Sequence, residues 1–230
     1  MGIPGSSNGD PFHNWANLPI SREQFALESK EELQRQFRNC TPLPGVEKLL
    51  SSLSRAHGAS GERIELALAT GSKRGFYELK ISKPKTRALL DLFHPERRVF
   101  GDDPRLQQGR GKPAPDVYLA ALESLNSGVG SDHKPILPSE CLVFEDSVVG
   151  VEAGRRAGMR VIWVPHPDLA AEYQPVVKDI LAGRTGIVKI GDEAQLGEVD
   201  DGWAERIPSL EDFDYEKYGI VVSEAGILTE

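Results

Sequence analysis

Cysteine is scarce in this chain. There are two, Cys40 and Cys141, far apart and in no CxxC pair. That excludes a disulfide framework, a thiolate metal cluster and a dithiol redox motif, and it leads us to expect a reducing, cytoplasmic setting. Long apolar runs are missing too. Nothing approaches the roughly 18 apolar residues of a membrane span. The opening stretch "MGIPGSSNGDPFHNWANLPI" lacks the basic start and apolar centre of a secretory signal. Positive charge is in short supply: 27 Lys and Arg stand against 35 Asp and Glu, a net charge of −8. General nucleic-acid binding needs a basic surface to displace counterions, so it is not expected. None of the five histidines has ligand spacing such as HExxH. The "GRGK" at 109–112 is followed by Pro113 and lacks the earlier glycine of a nucleotide-binding P-loop.

What is present is an alternating pattern. Hydrophobic residues are 39% of the 230, enough for a core. After a loop-like segment, Ser21 opens a helix to about residue 38, with Gln24 placed for a capping box and Phe25, Leu33 and Phe37 at helical spacing. A turn at Pro44-Gly45 leads into an amphipathic helix expected to end at Gly58 as its C-cap. A buried strand is expected over Ile64–Ala69, a helix at "KTRALLDLF", a short strand at "RRVFGDD" and a helix at "APDVYLAALESL". The strand "CLVFED", the helix "VVGVEAGRRAG" and the strand "RVIWVP" complete the pattern. The acidic tail, 183–230, is weakly patterned, with a short strand expected at "GIVKI". Strands alternating with helices at this spacing predict an α/β fold with a parallel sheet, and sites at the carboxyl ends of its strands.

Three short segments follow three of these strands. They are Thr70-Gly71-Ser72 after "IELALA", Lys112 after "RVFGDD", and Glu145-Asp146 after "CLVF". A parallel sheet would bring them to one edge. A hydroxyl with free backbone N–H groups suits phosphate oxygens. A lysine adds positive charge. Two carboxylates suit a hard divalent cation such as Mg²⁺, which keeps several waters and needs only one or two protein carboxylates. Each segment has an ordinary reading in isolation: a turn, a solvated lysine, and acids favoured at a helix N-terminus. Their order and placement together favour a site.

The series "LATGS … GKPAPDVY … VFEDSVVGVEAGRRAGM" resembles the haloacid dehalogenase-like phosphatase superfamily, and within it the branch of pseudouridine-5′-phosphatase and related sugar-phosphate phosphatases. "PLPGVEKLL" and "FGDDPRLQQGRGKPAPD" are similar to that branch, and the resemblance runs over about residues 1–218. It implies a Rossmann-like core over 44–230 with a partial helical cap over 1–43. It also implies Mg²⁺-dependent hydrolysis of a small phosphorylated metabolite, a sugar or nucleoside phosphate. By the same resemblance Thr70 is the hydroxyl that contacts the phosphoryl group, with Gly71 and Ser72 beside it. Lys112 neutralises that group, and Asp146 with Glu145 holds Mg²⁺.

The family's first motif, a DxDGT-like segment at the end of its first strand, has no counterpart in this sequence. Its first aspartate is the nucleophile and its second the general acid and base. Asp10, Asp102-Asp103 and Asp212-Phe213-Asp214 are poor substitutes: none follows an apolar strand in a DxDGT pattern. We therefore expect no nucleophile, and hence no turnover, in the chain as it stands. The alternative is a non-catalytic protein binding phosphate or a protein partner. In the family the first strand lies between the strands bearing the second and fourth motifs, so those two are expected to have open edges.

Overall fold

The computed structural model describes residues 15–107, 110–127, 134–188, 190 and 195–223. Helix α1 (Arg22–Phe37) begins where Ser21 accepts the Gln24 N–H through its hydroxyl, at 3.1 Å. Only half of the capping box forms, because the Gln24 amide reaches forward to Glu28. Then follow α2 (Val46–Leu53), β1 (Ala56–Gly58), β2 (Leu68–Ala69), α3 (Arg74–Lys80), α4 (Pro84–Leu90) and β3 (Arg98–Val99). Next come α5 (Asp116–Ser127), β4 (Leu142–Glu145), α6 (Val148–Arg156) and β5 (Arg160–Trp163). Helices α7 (Pro167–Glu172) and α8 (Val177–Leu181) and strands β6 (Ala204–Arg206) and β7 (Ile220–Val222) complete the order used here.

The architecture is the expected parallel α/β one, in separate ladders. Strands β4, β5 and β6 form a parallel sheet with β5 central. Strands β2 and β3 form a second parallel pair. Between β2 and β4 no strand intervenes among the described residues, so each has one edge outside any ladder. The same hydrophobic cluster nevertheless spans both: Ala67 and Ala69 pack with Val99, Val117, Val143, Val148, Val161 and Trp163. Helix α5 lies against β2 and β3 and also meets α6, tying the two ladders together.

Several sequence expectations are corrected. Gly58 does not cap α2. The helix ends at Ser54, and Ala56–Gly58 pairs antiparallel with Ile220–Val222. The strand expected over Ile64–Ala69 is laddered only at Leu68 and Ala69, because β3 offers only Arg98 and Val99 as partners. The strand expected at 186–190 is absent over 186–188; Lys189 lies outside the described residues. The tail instead supplies β6, which extends the main sheet, and β7. Asp10 also lies outside the described residues.

Candidate active site

The carboxyl end of β2 turns into α3 through Thr70-Gly71-Ser72. The Thr70 N–H still belongs to the ladder, donating to the Val99 carbonyl at 3.0 Å. Its hydroxyl oxygen accepts from the Ser72 N–H at 3.1 Å, which leaves the hydroxyl proton available to a ligand. The neighbouring segment after β3 holds this turn in place. The Gly101 N–H donates to the Ser72 carbonyl at 2.9 Å, and Asp102 accepts from the Arg74 N–H at the start of α3. The approach needs glycine: a Cβ on Gly101 would stand 2.2 Å from the Gly71 carbonyl oxygen.

Lys112 and Glu145 meet. Both side chains are nearly buried, 12% and 5% exposed, and they form a close ion pair. The Tyr118 hydroxyl, from the first turn of α5, donates to the same Glu145 oxygen. The second oxygen accepts from the Ser147 hydroxyl at 3.1 Å and the Ser147 N–H at 3.3 Å. Ser147 in turn caps α6 by accepting the Gly150 N–H at 3.1 Å. Burial alone would raise the Glu145 pKa. The Lys112 ammonium and these hydrogen bonds outweigh it and hold the carboxyl below its ordinary value. Burial and the Glu145 charge together push the Tyr118 phenol well above its ordinary value, so it stays a donor. Gly150 makes room for this arrangement: a Cβ there would lie 2.1 Å from the Glu145 carboxyl carbon. A second ion pair, Arg110 bidentate to Asp116 at 3.0 and 3.1 Å, braces the turn that carries Lys112.

Asp146 is different from its neighbour. Its residue is exposed, at the point where β4 gives way to the α6 cap, and its backbone carbonyl accepts the Trp163 indole N–H at 3.2 Å. Its carboxyl pKa is raised, first by partial desolvation and then by the negative charge of Glu145; Lys112 and Lys80 oppose the shift. A carboxylate so disfavoured as an anion gains from a cation. Among the described residues there is no cluster of three or more His, Cys, Asp or Glu side chains of the kind that encloses a metal. The chemistry of the donors present, Asp146 beside Glu145, fits a hard ion that keeps several waters, such as Mg²⁺. Glu145 is engaged by Lys112, Tyr118 and Ser147, and Asp146 is the more exposed oxygen donor beside it.

The sequence-derived residues thus fall into two groups. Lys112, Glu145 and Asp146 are brought together at the end of β4, and Thr70, Gly71 and Ser72 cluster at the end of β2. What joins the groups is Lys80, which sequence reasoning missed. It lies in a seven-residue helix too short to show a period. It donates to the Ser72 hydroxyl at 2.8 Å and acts electrostatically on Asp146. Tyr118 was also missed as a site residue, having been counted with the α5 helix alone. Of the alternative aspartates, Asp103 is clamped by Arg105 at 2.9 Å. Asp212 and Asp214 flank Phe213, which packs in a different cluster, against Leu49, Ile162 and Leu210.

Comparison with known proteins identifies the family. A family model described as haloacid dehalogenase-like hydrolase matches residues 16–158. An uncharacterized protein of Schizosaccharomyces pombe is 35% identical over 219 residues, covering 95% of this chain and 77% of that protein. A protein of Saccharomyces cerevisiae named "Probable pseudouridine-5'-phosphatase" is 33% identical over 220 residues, 96% of this chain and 79% of its own length. The crystal structure of a HAD hydrolase, family IA, variant 3, from Entamoeba histolytica aligns with a TM-score of 0.60 at 20% identity. It covers 93% of this chain and 78% of that one, which supports the fold. With its match to the family model and its similarity to these yeast proteins over nearly its whole length, this chain belongs to the haloacid dehalogenase-like hydrolase family.

Proposed function

We propose that this chain carries the phosphate- and Mg²⁺-binding half of a phosphomonoesterase site for a small sugar or nucleoside phosphate, and that it acts in the cytoplasm. The observation that carries the reading is the buried Lys112–Glu145 pair beside an exposed Asp146 at the end of β4, with Lys80, which bonds the Ser72 hydroxyl, acting electrostatically on Asp146. Thr70 donates its hydroxyl proton to a phosphoryl oxygen, and the open backbone at Gly71 lets that oxygen approach. Lys112 balances the Glu145 charge so that the site as a whole accepts an anion. Asp146 would hold the ion, which when bound supplies Lewis-acid polarisation of the phosphoryl oxygens. The yeast relative's name supports a nucleoside-type substrate class. The fold and the family are compatible with other small phosphate esters.

The same reading holds that the chain by itself turns over no phosphate ester. Asp103 is paired with the Arg105 guanidinium, and Asp102 accepts the Arg74 backbone N–H. The open edges of β2 and β4 favour a second reading, that of a non-catalytic protein binding phosphate or a protein partner. The experiment is an assay of the purified chain with Mg²⁺ and a generic phosphate ester. The expected result is no release of phosphate above background. Turnover that disappears in Asp146→Ala or Lys112→Ala would overturn the inactivity and establish the enzyme.

A further inference from the structure

Lys80 has no ligand role in the reading above. Its ammonium donates to the Ser72 hydroxyl at 2.8 Å and lies 4.5 Å from the centre of the Phe37 ring. Phe37 is the last residue of the cap helix α1. It also packs edge-on against Phe76 of α3, with ring centres 5.4 Å apart. Lys80 therefore touches the turn after β2 on one side and the end of the cap helix on the other, and its field reaches Asp146. Among the described residues no carboxylate comes within ion-pair distance of it, although the side chain is half-buried. Lys112, by contrast, has its charge matched by Glu145.

A half-buried ammonium whose direct contacts are a hydroxyl and an aromatic face retains donor capacity and has no carboxylate in direct contact. We propose that Lys80 is an anion-binding residue of this site, holding a phosphoryl oxygen of the substrate beside Ser72 and coupling its capture to the seating of the cap helix through Phe37. The proposal rests on the phosphatase reading above and adds a second cation to it. An ammonium is a compact point charge that suits one oxygen rather than a bidentate clamp.

The test uses the whole chain and inorganic phosphate as the probe, by calorimetric titration in the presence of Mg²⁺ at low salt. Lys80→Met keeps the aliphatic stem against Phe37 and removes the charge; Lys80→Arg keeps the charge. We expect Lys80→Met to weaken phosphate binding at least tenfold and Lys80→Arg to restore it to within about threefold. A purely structural lysine would give equal phosphate affinity in Lys80→Met and wild type, and that result overturns the proposal even if the melting temperature falls. Wild-type protein that binds no phosphate at all would remove the phosphatase reading, and the proposal with it. Reductive methylation of the unmutated protein guards against misfolded variants. Phosphate should slow labelling of Lys80 severalfold and leave the exposed Lys85 unaffected. Equal labelling of Lys80 with and without phosphate counts against the proposal.

Discussion

The two sides of this sheet are packed very differently. Around β4, α6 and β5 burial is nearly complete: every residue of α6 is buried, and Val161, Ile162 and Trp163 are at most 1% exposed. Around β2 it is not: Ile64 through Thr70 are all only half-buried, and α1 has no buried residue. The carboxylates therefore sit on a rigid platform, and the Thr70 turn and α1 sit on a looser one. Regions with few buried contacts open at lower free energy than the core. On the proposed reading, the side bearing Asp146 would be preformed, and the Thr70 turn and α1 would be the parts free to adjust to a ligand.

The largest expected effect lies at the centre of the rigid side. Lys112→Met strands a buried carboxylate that retains only Tyr118 and Ser147, so it should cost about 3–5 kcal/mol in denaturant unfolding. A loss under about 1 kcal/mol would mean that the pair is solvated. A matched pair of truncations comes next. Ile162→Ala in β5 should cost about 2–5 kcal/mol, and Leu66→Ala beside β2 less than half as much, since its neighbourhood is already partly open. Equal losses would erase the contrast between the two sides.

Acid should act on the rigid side with a definite sign. The Glu145 pKa is depressed on folding, so its contribution is present above the ordinary value of 4.5 and is lost as pH falls through the lower folded value. The Asp146 pKa is raised on folding, so its charged form costs stability at neutral pH, and the cost disappears as pH falls through the raised value toward 3.8. Without Mg²⁺, Asp146→Asn should therefore be modestly more stable than wild type at pH 7, with the advantage narrowing in acid; urea melts across pH check this. The smallest effect belongs to the cap. Leu33, 44% exposed on α1, should tolerate substitution by Gln within about 0.5 kcal/mol.

The rigid side was also the more legible in the sequence. "CLVFED", "VVGVEAGRRAG" and "RVIWVP" have enough length and apolar content to declare strand, helix and strand, and the acids at the junction announce a site. Glu145 read as a metal ligand from the sequence. The structure gives it four polar contacts from three residues, and such inward partners leave no trace in local spacing. Lys80 was invisible because α3 is two turns long and its partners, Ser72 and Phe37, belong to other segments. The β1–β7 pair was invisible for a related reason: three-residue strands from opposite ends of the fold carry no period. Gly58 looked like a helix stop because the pattern before it is amphipathic, but its strand partner lies far along the chain.

The central claim is that Asp146, backed by the buried Lys112–Glu145 pair, is the open donor for a hydrated divalent ion. Titration calorimetry of Mg²⁺ into the wild-type chain and into Asp146→Asn tests it most directly. One saturable site in the wild type, weakened at least tenfold in the variant, is the predicted result. Indistinguishable isotherms for the two proteins would contradict it.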